Sequence, residues 1–460
     1  MNPRAVLCLL PLLVAIMLPA GAAPVAPGDA LATASQLRAR ALSGASPAWS
    51  LIESLATDVG ARPVGSPAME RARDWALERM HALGFSNVHL EPFVKERAWV
   101  RGAESGAVLA PVTRPLSLIG LGGSVPTPAA GIEAEIAAFD TLQQLYEATP
   151  GSLAGRIAFV NQPMTRMQDG SGYGAAVAAR ADGPSVAAER GALAFLTRSI
   201  ATGTTRAPHT GALFYRADAP RIPAAALGIA DANLLTRLAA RGKPVRVRVS
   251  LESHEIAAAP AWNVVGELPG TDPAAGAIVV GGHLDSWDPG EGALDDGAGI
   301  AITMAAARLV GELPHRLRHT IRVVAFGSEE TGGSGDAYAA AHAGEVSHLS
   351  LVGESDLGSG PILTLTLPKG LQGSSVAREL GVALAPLGIY ISRSATTHAG
   401  SDVEPLVDKG VPAMAYLQDA SLYFDIHHSA DDTLDKVNRA DLEQNVAAWA
   451  VLLYLVGAGN

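Results

Sequence analysis

The clearest pattern along the chain is a short apolar run, Ala277-Ile278-Val279-Val280, that breaks into the glycine-rich stretch GGHLDSWDPGEGALDDGAG at 281–299. An alanine-rich helical pattern then runs to about Leu313. Four apolar residues bounded by glycines predict a buried strand, and 320–327 (TIRVVAFG) repeats the signal as a near-continuous apolar strand of the kind parallel sheets bury. Residues 349–352 and 412–417 read as further short strands. Upstream, 48–59 has the spacing of an amphipathic helix, which GARPVGSP breaks. Ser66-Pro67 then predicts an N-cap with proline in the first turn, and a helix with apolar Met69, Trp75, Ala76 and Met80 that Gly84 ends. Val88, Leu90, Pro92 and Phe93 suggest a strand leading to Trp99. A last helix over 441–456, capped by Asn438, carries Leu442, Val446, Trp449, Leu452 and Leu453 on one face.

Between about 116 and 253 the texture changes. Short β-like runs at 133–139, 155–160, 193–196, 221–226 and 243–251 are separated by Gly/Pro/Ser turns, and 166–187 is rich in glycine and alanine. No His/Asp/Glu cluster with ligand spacing occurs there. These patterns predict an α/β fold, a three-layer sandwich with a mainly parallel central sheet, interrupted by an inserted β-rich domain without chemistry of its own. The expected boundaries are a leader over 1–22, an N-terminal part of the main domain over 23–115, the insertion over 116–254, and the rest of the main domain over 255–460.

Composition sharpens this picture. A chain of 460 residues, 48% hydrophobic and 17% charged, can build a large core and is not a disordered polymer. A net charge of -11 with no Lys/Arg run argues against nucleic acid as a partner. The opening, MNPRAVLCLLPLLVAIMLPAGAA, has a basic start, an apolar run and a small-residue end, the order of a secretory signal peptide. The run is shorter than the ~20 residues of a membrane span, so export to a secreted or periplasmic location is preferred over anchoring. The single cysteine, Cys8, lies inside this leader. A metal site in the mature chain therefore has only imidazole and oxygen ligands to draw on.

Candidate ligands recur where strands end: His283-x-Asp285, Asp295-Asp296, Glu329-Glu330, Asp356 and His427-His428. A single carboxylate pair is ordinarily a solvated surface feature. A series of such pairs behind apolar strands, with imidazoles among them, points to cations, because adjacent buried carboxylates need positive charge. Two divalent ions ~3.5–4 Å apart are a recurrent hydrolase device, and Zn²⁺ suits a mixed imidazole and carboxylate set. Two such ions against three carboxylates and one hydroxide leave the site neutral.

The motifs HLD, GALDDGAG, SEETGG, ESD and HHSADDT together resemble those of the M28 family of co-catalytic zinc aminopeptidases, and within it the secreted carboxypeptidase Q group. GSVPTPAAGIEAEI and GRIAFVNQP resemble the protease-associated domain inserted in that group. The resemblance implies two Zn²⁺, with Co²⁺ or Mn²⁺ as alternatives. It implies one ion on His283, Asp295 and Asp356, and a second on Asp295, Glu330 and His428. It implies Glu329 as general base, and Asp285 as acceptor of the other ring N–H of His283. His428 rather than His427 is implied as ligand by the Asp432-Thr433 that follows it; His427 is either a neighbour facing the pocket or a packed core residue. Asp296 is expected to cap the following helix, Asp288 and Glu291 to be solvated, and Glu354 to support the site. In HAGSD, His398 stands where some members carry an oxyanion-binding Tyr, so it is either that donor or an exposed loop histidine.

The implied activity is that of an aminopeptidase or dipeptidase, hydrolysis of the bond after a free N-terminal residue of short peptides, with dipeptides favoured by the likeness to the carboxypeptidase Q group and a homodimer as the group's usual state. Alternatives are a single-zinc glutaminyl cyclase, a non-catalytic binding protein, and a phosphoesterase. The last would need a cationic phosphate clamp, and the motifs show none nearby.

Overall fold

The structure is a computed structural model that describes residues 27–396 and 398–459, so the leader and Cys8 lie outside the described residues. Its central sheet has five strands in the order Ser86–Val100, His254–Leu268, Thr320–Phe326, Ala277–His283, Leu349–Glu354. Thr320–Phe326 and Leu349–Glu354 run parallel to Ala277–His283 on either side of it. The other two pairings are antiparallel. The sheet is therefore mixed rather than mainly parallel. The reason is the pair of 15-residue strands: the chain leaves along Ser86–Val100 and returns beside it along His254–Leu268, with Val100 opposite His254. Such an out-and-back pair must be antiparallel.

Side-chain alternation loads both faces. Ile278, Val280, Ile321 and Val323 belong to one core with the helices Ala298–Gly311 and Arg439–Gly457. Val279, Val324 and Phe326 face Tyr338 of the helix Ser334–Ala341 in another. Helices thus lie on both sides of the sheet, giving three layers. The last helix is buried almost all round from Leu442 to Gly457, beyond the single face its apolar spacing suggested. Two helix caps follow the sequence signals: Ser66 Oγ accepts from Met69 N, and Asn438 Oδ1 accepts from Ala440 N. A smaller sheet, Tyr390–Ala395, Ile362–Leu367 and Ala415–Gln418, completes this part.

Between the long strands, residues 104–251 form an eight-stranded sheet with a core of its own. Its middle strands Ile132–Phe139, Arg156–Val160, Ala194–Arg198 and Ala224–Leu227 are parallel, and helices such as Gly183–Glu189 and Ile229–Ala239 pack on them. This stretch is α/β rather than purely β-rich, and it takes in the strands Glu104–Ala110 and Arg114–Leu116, which begin before residue 116. The alanine- and glycine-rich 166–187, uninformative in sequence, supplies short helices. Among the described residues no helix is long and apolar enough to cross a membrane.

Candidate metal centre

The site grows from the carboxyl end of Ala277–His283. His283 closes that strand, and Gly281-Gly282 before it are packed so closely that a Cβ on Gly282 would lie 2.2 Å from Asp296 Oδ2. Asp295 sits on the following turn, joined to Asp296 by a cis peptide. Asp296 spends both oxygens on backbone, one on His283 N at 3.0 Å and one on Gly299 N at 2.9 Å. The second bond caps the helix Ala298–Gly311, as its position suggested.

The Asp295 carboxylate is the hub. Its Oδ1 is 3.1 Å from His283 Nε2, and its Oδ2 is 3.2 Å from His428 Nε2. On one side His283 Nε2 is also 3.4 Å from Asp356. On the other, His428 Nε2 is 3.0 Å from Glu330 Oε2. The five residues singled out as ligands in the sequence thus converge as two half-sites that share one carboxylate. The donor set of imidazole and carboxylate suits divalent metal. The ligand atoms of His283, Asp295 and Glu330 all lie within 4.8 Å of one another, as do those of Asp295, His427 and His428. Buried polar atoms without a protein partner gather here too: His427 Nδ1, the Trp287 indole N–H, Glu354 Oε1 and Asp402 Oδ2. Such atoms are costly unless a ligand, ion or water meets them.

Electrostatics agree with this reading. Burial alone would raise Asp295, but bonds from His283 and His428 hold its carboxyl well below the usual range. Burial would lower His428, yet Glu330 and Asp295 push it well up. The hub demands positive charge on both sides. Burial, with the charge of Asp356 adding to it, pushes Glu329 well up. Asp432, which accepts Leu294 N at 2.7 Å and Asp295 N at 3.1 Å, is pushed by burial to about 7.

Several sequence expectations change. Nδ1 of His283 is 2.9 Å from the backbone carbonyl of Asp285, while the Asp285 carboxylate is 3.6 Å away and instead accepts Glu329 N at 2.9 Å. Asp285 therefore holds the histidine through its main chain and the neighbouring acid through its side chain. His398 is exposed and paired with Glu404 at 2.8 Å, outside the cluster, because Glu404 begins the short helix beside it. Asp288 is partly exposed and also grips Arg101 with both oxygens, at 2.7 and 2.9 Å. Glu291 caps Leu434 N at 2.9 Å. His427 stacks on His428 with ring centroids 3.5 Å apart, boxed by Tyr173, Tyr423 and Phe424, and its Nε2 is 3.5 Å from Asp295.

The insertion expected over 116–254, read as chemically silent, in fact reaches the centre. Arg180 Nη1 is 3.4 Å from His428 Nδ1, while its other donors serve Ala212 O, Thr210 O and the Tyr173 hydroxyl. Thr210 N donates to His428 O at 2.9 Å, and His209 Nδ1 to His427 O at 2.5 Å. His428 itself has φ 61°, a left-handed conformation that these bonds hold in place. Arg62, fully buried, donates to the carbonyls of Leu284, Glu291 and Gly292 and so fixes the loop between the ligands. Cations therefore do surround the motifs, although linear spacing showed none. Arg62, Arg101 and Arg180 are committed to protein acceptors and form no open phosphate clamp. A lone Arg in an alanine-rich stretch, or a lone His in APHTG, carries no signal that could have found these residues.

Comparison with known proteins places this geometry. A model described as Peptidase family M28 matches residues 263–453. The chain is 37% identical over 409 residues to carboxypeptidase Q of Bos taurus, covering 87% of this chain and 83% of that one. It is 35% identical over 412 residues to carboxypeptidase Q of Homo sapiens, covering 87% and 83%. The crystal structure of a Peptidase M28 precursor from Shewanella amazonensis SB2B superimposes with a TM-score of 0.91 at 38% identity, over 95% of this chain and 98% of that one. A zinc aminopeptidase from Bacillus subtilis shares the fold at a TM-score of 0.63 and 18% identity, over 88% and 94%.

Proposed function

The chain belongs to peptidase family M28 and is a metallopeptidase; from that premise we propose a secreted or periplasmic di-zinc exopeptidase that hydrolyses the bond after the free N-terminal residue of short peptides. The observation that carries the reading is the convergence of His283, Asp356, Glu330 and His428 on the two oxygens of Asp295. His283, Asp295 and Asp356 would hold one ion, and Asp295, Glu330 and His428 the other. Bound zinc supplies a lowered water pKa and a polarised scissile carbonyl.

The chain's own residues do the rest. Glu329 is fixed at its backbone by Asp285, and its raised affinity for a proton suits a group that takes one from water and returns it to the leaving amine. Asp432 sets the hub by holding the backbone of Leu294 and Asp295. A cavity of about 200 Å³ lies against Asp285 and Glu330, walled by Trp99 and Trp287. Its small size supports short substrates. Residues 104–251 back the walls of this cavity, Ser124 O accepting from the Trp99 indole and Thr210 Oγ1 from Arg101, which supports their reading as a protease-associated-like cover.

Metal analysis of the purified protein, joined to a dipeptide panel with and without chelator, tests the proposal. Two ions per chain and chelator-sensitive hydrolysis are expected. Glu329→Gln should keep its metal and lose ~10²–10⁴-fold in kcat. One ion per chain with cyclisation of N-terminal glutamine would favour the single-zinc alternative. Full activity in a metal-stripped protein would sink the mechanism.

A further inference from the structure

We propose that Arg180 makes the ion of the Glu330–His428 half-site the more weakly held of the two, so that the insertion sets how many ions the centre carries. This rests on the two-ion reading of the same site. Arg180 stands on the short helix Ala178–Ala181, 248 positions from His428, and is buried. Its hydrogen-bond partners are the carbonyls of Ala212 and Thr210 at 3.2 Å each, the Tyr173 hydroxyl at 2.8 Å and Nδ1 of His428 at 3.4 Å. The guanidinium also lies 5.6 Å from the centroid of the Tyr173 ring. None of these partners is a carboxylate, so a full positive charge stands directly behind a candidate metal ligand.

The two ligand histidines are therefore prepared differently. A guanidinium carries donors only, so Nδ1 of His428 has to accept from Arg180, and the ring proton sits on Nε2. There it faces Asp295 Oδ2 at 3.2 Å and Glu330 Oε2 at 3.0 Å, in the place an ion would take. His283 is the reverse. Its Nδ1 is 2.9 Å from the carbonyl of Asp285, which can only accept, so the ring proton sits on Nδ1 and Nε2 is left open to a metal. A ligating imidazole ordinarily donates its other N–H to such an acceptor, and losing that partner costs about 10- to 100-fold in metal affinity. For an ion to sit on Nε2 of His428, the proton has to move to Nδ1, where one N–H then faces another. The charge of Arg180 adds repulsion in the same direction, and burial leaves it little screened. At limiting zinc the expected species is a one-ion form filled at His283, Asp295 and Asp356.

The test follows zinc release from the fully loaded protein into a chromogenic chelator, with ions per chain counted by elemental analysis. Wild type should give up one ion about 10- to 100-fold more readily than the other. His428→Ala should lack the easily removed ion and hold the other as wild type does. Arg180→Gln offers an Nδ1–H an amide oxygen in place of a cation, and should hold the second ion about 10-fold or more tighter. Arg180→Lys keeps the charge and should release that ion as wild type does. If Arg180 merely anchors residues 210–212 beside His428, its loss has the opposite sign, so weaker or unchanged retention in Arg180→Gln would overturn the proposal. Two ions of equal retention in wild type, or loss of the tighter ion in His428→Ala, overturn it without any Arg180 variant, which covers the case that Arg180→Gln does not fold. A wild type that takes up one ion at saturating zinc would instead remove the two-ion reading.

Discussion

His209 couples the grip on the metal-binding loop to acidity, and the size of the effect follows from its surroundings. The ring is 2% exposed and its Nδ1–H donates to the carbonyl of His427, next to the candidate ligand His428. Burial holds the imidazole neutral, its pKa lowered from 6.5 to about 4; the bond to His427 opposes this and the charge of His428 adds to it. In the unfolded chain the ring takes a proton below about 6.5, whereas in the folded protein it does not until about 4. The unfolded state thus binds more protons in that window, and the stability present above it is lost as pH falls through it. A difference of about 2.5 units at ~1.36 kcal/mol each is about 3 kcal/mol. His209→Asn keeps an N–H donor for the His427 carbonyl but does not titrate. Denaturant unfolding of both proteins in excess chelator, from about pH 7 to about pH 4, should show the variant gaining on wild type by up to ~3 kcal/mol. Chelator removes metal release as a cause, and other titrating groups cancel between the two. Parallel stability curves would refute the reasoning.

Two further outcomes test the same geometry. Gly211→Ala would bring a Cβ to 2.2 Å from Arg180 Nη1 and 2.8 Å from His428 Nδ1, at a φ of +128° that side chains rarely adopt. A destabilisation of ~2–4 kcal/mol is expected, together with weaker zinc retention in chelator competition; an unchanged melting temperature and metal affinity would show that the contact is slack. His398→Ala, at an exposed ring paired with Glu404, should leave kcat on dipeptides and metal content within about 2-fold of wild type. A fall of 10²-fold or more in kcat with full metal would instead restore His398 as oxyanion donor.

Local patterns were read well where the signal is local. The strand before His283, the helix caps at Ser66 and Asn438, and the cap at Asp296 depend on residues a few positions apart, and the structure has them. The ligand motifs were visible as paired acidic and imidazole residues; His283, Glu330 and Asp356 lie at or just past strand ends, whereas Asp295 and His428 stand in the loops beyond Ala277–His283 and Ala415–Gln418. The strand pair Ile362–Leu367 and Tyr390–Ala395 and the helix Ile229–Ala239 were missed, although ILTLTL alternates with the period of a strand; the helix starts after Gly228, which has no side chain to cap it. Sheet orientation was misjudged because it hangs on one non-local fact, that Ser86–Val100 and His254–Leu268 are the two legs of an excursion.

The sequence by itself determined the chemistry on offer: strand-end carboxylates and imidazoles, no thiol beyond Cys8, and too few basic runs for a nucleic-acid partner. Tertiary structure decided who stands beside whom. Only folding sets Lys95 on the turn after Glu330, 236 positions away, and Arg180 beside His428, 248 away. It also turns His398 to solvent. The physical reason is range. Propensity, capping and periodicity act within a few residues, while a buried cation finds its acceptors wherever packing leaves carbonyls and rings unmet, and linear spacing holds no record of that.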